Sequence, residues 1–148
     1  MIVCRIQPTD TAQLAAVHAV AFEAPWDEAT LTVLLAAPGV VALAAGVSPS
    51  VDGFILCRVA ADEAEILTLA VDPLHRREGV AVALLETAME AVRALGATSL
   101  FLEVAADNVP AAGLYAKGGF TAVGVRSGYY ARAGGAVDAL ILRRDLNR

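Results

Sequence analysis

Hydrophobic and polar residues alternate along the chain with periods that predict a strand followed by two helices. An apolar stretch at 2–6 predicts the first strand, which ends before Pro8. Thr9 or Asp10 is the expected cap of the first helix, and Asp27 that of the second. The apolar positions of these helices are Leu14, Val17, Ala21 and Phe22 in the first and Leu31, Leu34 and Leu35 in the second. The second helix is expected to end before Pro38.

Three strand patterns follow at 40–45, 53–60 and 64–71. The connections at 48–52 and 61–63 are short and turn-like, so we expect the three strands to pair antiparallel. A helix is then predicted from Val80 to Leu95, with Glu86, Glu90 and Arg93 outside and Gly96 as a left-handed end. Its expected buried face comprises Ala81, Leu84, Leu85, Ala88, Val92 and Leu95.

The remaining third of the chain predicts a strand, a short helix and a final pair of strands. Residues 99–104 are almost continuously apolar, which is typical of a strand covered on both faces. Asn108 is expected to cap a helix that runs to Lys117, and the last strands lie within 120–130 and 136–146. The crossover from 64–71 through the long helix to 99–104 makes those strands parallel neighbours with a right-handed connection. The order predicts an α+β fold with a mixed sheet, in one domain over 1–148.

Composition narrows the class of protein. The 148 residues are 57% hydrophobic and 18% charged, as expected of a globular protein. The net charge of -5 argues against nucleic acid as a partner, and it suits either a cationic substrate or simple solubility.

No apolar run reaches the ~18 residues of a membrane span. The N-terminus shows no export signal, so we expect a cytoplasmic protein. No pattern indicates an oligomeric state.

The residues that could bind metal or react as nucleophiles are few. Cys4 and Cys57 are expected to be two buried, reduced thiols. His18 and His75 have no cysteine or carboxylate at metal-ligand spacing, so we expect no metal site.

The segment RREGVA, from Arg76 to Ala81, directly precedes the long helix. The N-terminus of a helix offers unpaired N–H groups and a partial positive charge, and a glycine there lets an anion approach the backbone. Arginines gain nothing from this end of the helix dipole, so a bound anion would explain their placement. The alternative is a solvated charged turn. The segment alone does not decide between them.

Two motifs together make the sequence resemble a known family. RREGVA resembles the pyrophosphate loop of GCN5-related N-acetyltransferases, and the segment NVPAAGLYAKGGF at 108–120 resembles a second motif of that family. Within the family the chain is similar to RimI-type enzymes, which acetylate the N-terminal alanine of a small-subunit ribosomal protein. The segments behind this narrower resemblance are 24–31, 101–108 and 126–142.

The resemblance implies a fold, a cosubstrate and a set of site residues. The fold would be a mostly antiparallel sheet in which one parallel strand pair splays apart. Acetyl-CoA would lie along the first strand of that pair, on the helix start and against an asparagine. The residues concerned are Leu69, Ala70, Val71, Arg76, Arg77, Glu78, Gly79, Val80, Ala81, Val82 and Asn108. Glu103 would be the general base and Tyr115 the general acid. Trp26, Tyr129 and Tyr130 would flank a groove for the peptide substrate.

Three residues depart from the family pattern. Val82 stands where relatives often carry a basic residue, Glu78 adds a negative charge to the loop, and Ala105 replaces an arginine common in the subgroup. Cofactor affinity would then depend more on backbone amides than on side-chain charge.

Proton affinities bear on the substrate. At pH 7 an α-amine costs about 1.4 kcal/mol to deprotonate and a lysine side chain about 4.6 kcal/mol. A lone carboxylate is therefore an adequate base for an α-amine and a poor base for lysine. Glu103 interrupts an apolar strand. If its carboxylate is buried there without a partner, the burial costs free energy and marks a candidate functional site. The alternative is that Glu103 reaches solvent at the end of the strand. The alternatives are an enzyme for a small-molecule amine or a lysine side chain, and a non-catalytic acyl-CoA-binding module.

Overall fold

The computed structural model describes residues 2–6, 10–22, 24–46 and 51–146 as one seven-stranded sheet with helices on both faces. The strands are β1 (Val3–Arg5), β2 (Val40–Ala45), β3 (Gly53–Ala60), β4 (Glu63–Val71), β5 (Ser99–Ala105), β6 (Thr121–Tyr130) and β7 (Val137–Asp145). The helices are α1 (Thr11–Ala21), α2 (Glu28–Ala36), α3 (Val80–Ala94) and α4 (Val109–Lys117). A single 3-10 turn, Pro73–His75, lies between β4 and α3.

The strand order is β1-β2-β3-β4-β5-β7-β6. Only the β4–β5 pair is parallel in this sheet of described residues, and the other neighbours are antiparallel. The predicted mixed sheet with one parallel pair is therefore confirmed.

Apolar residues fill a core on each face of the sheet. Leu84, Leu85 and Val92 of α3 pack with Ile55 and Leu100 on one face. On the other face, Leu14 of α1 and Leu31 of α2 pack on Phe54 and Leu56. Alternate residues of β3 thus serve opposite cores, as the two-residue period of a strand requires.

The parallel strands β4 and β5 are paired over three positions and then separate. The last pair is Glu65 with Phe101, although β4 continues to Val71 and β5 to Ala105. Directly after that pair, the β3–β4 register shifts by one residue, so that Leu67 is the extra residue on β4. A bulge bends and twists its strand. We attribute the separation of β4 from β5 to this bend.

Two predicted helix caps are confirmed and one is not. Asp27 accepts a hydrogen bond from the Thr30 amide at 2.8 Å, and Asn108 accepts one from the Ala111 amide at 3.3 Å. Asp10 occupies the cap position of α1, but its side chain makes no capping hydrogen bond. The other cap candidate, Thr9, lies outside the described residues, as do Pro8 and most of the turn at 48–52.

Two predictions of burial were wrong. Leu95 is 53% exposed because α3 ends at Ala94, and Val80 takes the place in the core at the other end of the helix. Cys4 is exposed on the short edge strand β1, whereas Cys57 is buried as expected. Gly96 has the predicted left-handed backbone, with φ of 100°.

Strand β6 forms one edge of the sheet. Its pairing with β7 is irregular at two places, between Ala122 and Gly124 and between Arg126 and Tyr130. Val123 and Val125 are exposed on this strand.

In the described part of the chain, no helix has both the length and the apolar content to cross a bilayer.

Candidate active site

The gap between β4 and β5 opens into a cavity of about 880 Å³. Its walls are the separated ends of the two strands, the start of α3, the inner side of α4 and the end of α1. The fold thus joins segments that are far apart in sequence around one space. Most of the residues that the resemblance implicated line it, and three regions of the wall differ in chemistry.

The first region is the turn before α3, which exposes backbone N–H groups. Arg77 has φ of 66° and Gly79, the cap residue of α3, has φ of 81°. A Cβ added to Gly79 would meet no atom within 4 Å, so the space in front of the helix start is open. The guanidinium groups of Arg76 and Arg77 are exposed, and neither forms a salt bridge with a described residue. This geometry is suited to an anion.

The Glu78 carboxylate is paired within the turn. Its Oε1 lies 3.0 Å from Nδ1 of His75, whose Nε2 lies 3.3 Å from Oδ1 of Asp52. The hydrogen bond to Glu78, followed by the charge of Asp52, raises the pKa of His75. The negative charge of Glu78 is thus turned toward an imidazole. Of the loop residues that the resemblance implicated, only Glu78 is absent from the described cavity wall.

The second region is the free edge of β4. Leu69, Ala70 and Val71 line the cavity and have no pairing with β5. Across the gap lie residues 102–105 of β5, with Asn108 beyond them. Backbone groups of a strand that lacks a neighbour on one side are ready to pair with an extended ligand there. A pantetheine arm has amide groups that match such an edge, and a diphosphate matches the loop, so these residues fit acetyl-CoA.

The third region holds Glu103 and Tyr115. The Glu103 side chain is 31% exposed, and its Oε1 lies 2.9 Å from Nε of Arg126 on β6. The carboxylate is therefore paired with a cation, which neither alternative for Glu103 had included, because β7 brings β6 close enough for Arg126 to reach across it. One carboxylate oxygen is paired with a cation, and the side chain still borders the cavity.

Tyr115 projects from α4 into the core. The residue is 7% exposed, its ring meets that of Phe120 edge to face with centroids 5.5 Å apart, and it also borders the cavity. Burial, with a smaller contribution from Cys57, raises the pKa of the phenol well above its usual range. The hydroxyl is thus a hydrogen-bond donor that stays protonated.

The implicated aromatic residues divide into two groups. Trp26 and Tyr130 border the cavity, whereas Tyr129 lies outside its wall and packs edge to face on Tyr130. The Arg132 guanidinium lies 5.3 Å from the centre of the Tyr130 ring and forms a salt bridge with Asp107 at 3.0 Å. The cavity mouth therefore combines an aromatic ring with a paired cation.

The sequence analysis missed several wall residues, and His18, Phe22 and Thr68 are among them. His18 is buried and stacks on Phe22 at 4.2 Å and on Trp26 at 5.2 Å between ring centres. The spacing of four residues between successive rings was a usable signal. The partnership with Thr68, fifty positions along the chain, left no trace in the sequence.

The cavity brings a carboxylate and a phenol into one space with a turn that is suited to an anion. A carboxylate, a protonated phenol and free strand amides face one space. Among the described residues no cluster of three His, Cys, Asp or Glu side chains could hold a metal ion. The arrangement suits transfer between an amine and a carbonyl compound that carries a distant diphosphate.

Comparison with protein families gives one match that covers most of the chain. The model described as the Acetyltransferase (GNAT) family matches residues 11–120. Ribosomal protein bS18-alanine N-acetyltransferase of Escherichia coli strain K12 is 38% identical over 89 residues, which are 60% of this chain and 60% of that protein. The protein of the same name from Haemophilus ducreyi is 34% identical over 89 residues, 60% of this chain and 61% of that protein. The matched segment thus spans about 60% of these curated relatives.

Solved structures resemble the fold over nearly its full length. The crystal structure of the ribosomal-protein-S18-alanine N-acetyltransferase from Escherichia coli has a TM-score of 0.92 and 28% identity, covering 99% of this chain and 94% of that one. The structure of Ard1 from Thermoplasma volcanium has a TM-score of 0.87 and 26% identity, covering 99% of this chain and 98% of that one.

Proposed function

The chain belongs to the GNAT acetyltransferase family, and from that premise we propose that it transfers the acetyl group of acetyl-CoA to a protein N-terminal α-amine. The narrower proposal is that the acceptor is the N-terminal alanine of a small-subunit ribosomal protein. Its support is the similarity to enzymes named for that reaction, over 60% of the chain. The proposed setting is the cytoplasm.

One observation carries this proposal. The parallel pairing of β4 and β5 stops at Glu65 and Phe101, and the resulting gap joins the open turn before α3 to the side chains of Glu103 and Tyr115. An extended donor could reach from an anion site at one end to a base at the other. A sheet with continuous pairing would have no such path.

The proposed binding of acetyl-CoA uses backbone groups more than charge. The N–H groups at the start of α3, from Gly79 to Val82, would hold the diphosphate, with Arg76 and Arg77 adding charge-assisted contacts. The free edge of β4 at 69–71 would pair with the pantetheine arm. Because Glu78 is turned toward His75, it would not oppose the diphosphate directly.

The proposed chemistry is direct transfer. Acetyl-CoA supplies the acetyl group as a thioester, and the products are an amide and a free thiol. Glu103 would accept the proton that the amine loses, either directly or through water. A carboxylate suffices for an α-amine, whose deprotonation costs about 1.4 kcal/mol at pH 7. The free amides of β4 would polarise the thioester carbonyl.

Tyr115 would act on the sulfur side of the reaction. Since burial raises the pKa of its phenol, early proton transfer to the departing sulfur is unfavourable. The hydroxyl would therefore stabilise the developing negative charge as a hydrogen-bond donor, and the departing thiolate would afterwards take its proton from water. Proximity of amine and thioester supplies much of the remaining rate.

The first prediction concerns these two side chains. Glu103→Gln and Tyr115→Phe should each lower kcat at least about tenfold, because each removes one group that acts only during transfer. Acetyl-CoA binding, measured by calorimetry, should stay within about twofold. Glu90→Gln, on the outer face of α3, is the matched control and should leave kcat unchanged.

The acceptor is tested by mass spectrometry with acetyl-CoA and a panel of amines. Peptides that begin with the N-terminal alanine of small-subunit ribosomal proteins should gain ~42 Da at the α-amine, the mass increment of one acetylation. Turnover on polyamines or on lysine side chains, without turnover on these peptides, would reject the proposed acceptor. Binding of acetyl-CoA without transfer to any amine would favour a non-catalytic module.

A further inference from the structure

His18 lies in α1 and connects that helix to the segment around Trp26 and to strand β4. Its Nδ1 lies 3.0 Å from the backbone nitrogen of Trp26, which follows α1 in sequence. Its Nε2 lies 3.1 Å from Oγ1 of Thr68 on β4. The residue is only 3% exposed, and Thr68 is also buried. A polar ring in such a place is costly unless both nitrogens are used, and both are.

The hydrogen bonds define the tautomer. The Trp26 backbone N–H can only donate, so Nδ1 of His18 must accept and carries no proton. The neutral ring therefore carries its proton on Nε2 and donates it to the Thr68 hydroxyl. Burial lowers the pKa of His18 and is the only cause of that shift, which agrees with a neutral ring. The imidazole is thus a directional link with one acceptor and one donor.

The two hydrogen bonds of the His18 ring position one wall of the cavity. The His18 ring is nearly parallel to those of Phe22 and Trp26, with interplanar angles of 18° and 8°. Phe22, Ala24 and Trp26, which we call the acceptor wall, border the cavity that also contains Glu103 and Tyr115. Thr68 stands immediately before the β4 segment 69–71. Through His18, the acceptor wall is therefore tied to the strand proposed to hold the donor.

We propose that His18 is a positioning residue that fixes the acceptor wall relative to β4 and so sets the affinity for the amine-bearing substrate. The proposal rests on the proposed function. It assigns His18 no contact with the reacting atoms. Its role is to keep two segments that are far apart in sequence at one distance, so that the amine of a peptide lies beside Glu103.

The central test removes one hydroxyl. In Thr68→Val the Nε2–H of His18 loses its partner, while the shape of the side chain is nearly kept. The KM for an alanine-starting peptide should rise roughly three- to tenfold, with kcat and the Kd of acetyl-CoA within about twofold. The matched control is Thr87→Val, which removes a hydroxyl that bonds only to the Ala83 carbonyl within α3. It should leave all three constants unchanged.

Variants of His18 itself separate the two bonds. His18→Asn keeps an acceptor near the position of Nδ1 and so should retain part of the peptide affinity. His18→Phe keeps an aromatic ring and loses both bonds, so its peptide KM should rise more than that of Thr68→Val. A parallel rise of the peptide KM and of the acetyl-CoA Kd, together with a fall in melting temperature, would indicate a purely structural role and overturn the proposal.

A second measurement is independent of catalysis. The chain contains one tryptophan, so the fluorescence of Trp26 reports on the acceptor wall alone. Thr68→Val should shift its emission or its quenching by the peptide, and Thr87→Val should not. Unchanged emission in both Thr68→Val and His18→Phe would overturn the positioning role whether or not acetyl transfer is found. Absence of transfer by the unaltered protein would instead reject the proposed function.

Discussion

The phenol of Tyr115 and the thiol of Cys57 belong to the same core on the α3 side of the sheet. Burial raises the pKa of the phenol, and it raises the pKa of the Cys57 thiol to about 12. Both groups therefore stay neutral well into the alkaline range. A neutral phenol can donate a hydrogen bond throughout that range, so Tyr115 should not limit activity on the alkaline side.

Cys57 should make the protein less stable at alkaline pH. The unfolded chain loses the thiol proton near pH 9, whereas the folded protein keeps it until about pH 12. Stability is thus fully present below pH 9 and falls by up to about 1.4 kcal/mol per pH unit as the pH rises toward 12. Urea unfolding at pH 8 and at about pH 10 should show this loss.

Two variants isolate the contribution of the buried thiol. Cys57→Ala should flatten the dependence of unfolding free energy on pH, even though the lost sulfur lowers stability at every pH. Cys4→Ala, at an exposed cysteine, should keep the slope of the unaltered protein. An equal slope in all three proteins would show that Cys57 does not retain its proton.

Helix α3 begins without a side-chain cap, and the turn before it contains an unusual residue. Gly79 has no side chain to offer, and Arg77 holds a left-handed backbone that only glycine adopts freely. Such a conformation costs of order 1 kcal/mol for a residue with a Cβ. The turn therefore retains a charge at the expense of backbone strain, which is consistent with a binding role for Arg77.

Replacing the two arginines by glycine should separate strain from charge. Arg77→Gly should leave the unfolding free energy unchanged or raise it by up to about 1 kcal/mol, because the strain is relieved. Arg76→Gly should lower it by roughly 0.5–1 kcal/mol, since Arg76 has an ordinary extended backbone. Each change should weaken acetyl-CoA binding roughly three- to tenfold through the lost charge. Equal stability changes in the two variants would contradict the assignment of strain to Arg77.

At the scale of the whole molecule, one interruption of the sheet produces the cavity. The bulge at Leu67 follows the last β4–β5 pair, and beyond it the strands serve different partners. β4 remains paired with β3, and β5 remains paired with β7. The sheet thus keeps its rigidity on both sides of the gap, which preorganises the site.

Hydrogen exchange should detect a ligand that completes this gap. Acetyl-CoA should slow amide exchange in 66–71 of β4 and in 79–82 of α3 by at least about threefold, because free N–H groups gain partners. Residues 55–58 of β3, which are already paired on both sides, provide the internal control. Uniform slowing across the sheet would indicate general stabilisation rather than binding in the gap.

Local signals in the sequence predicted more of the fold than of the site. The helix starts at Asp27 and Asn108 were predictable because a capping side chain acts within three residues. The pairing of Glu103 with Arg126 was not, because it requires β7 to lie between β5 and β6, and β7 follows only β6 directly in sequence. The exposure of Leu95 followed from a helix end, where periodicity stops carrying information.

The irregular edge strand β6 also affects how the molecule meets its own copies. Val123 and Val125 are exposed there, and a straight edge with such side chains would act as a template for strand addition and aggregation. An incoming strand would lose its alignment at the irregularities near Gly124 and between Arg126 and Tyr130. Ten residues of open edge are thereby divided into short pieces, which is a safeguard against fibril-like self-association.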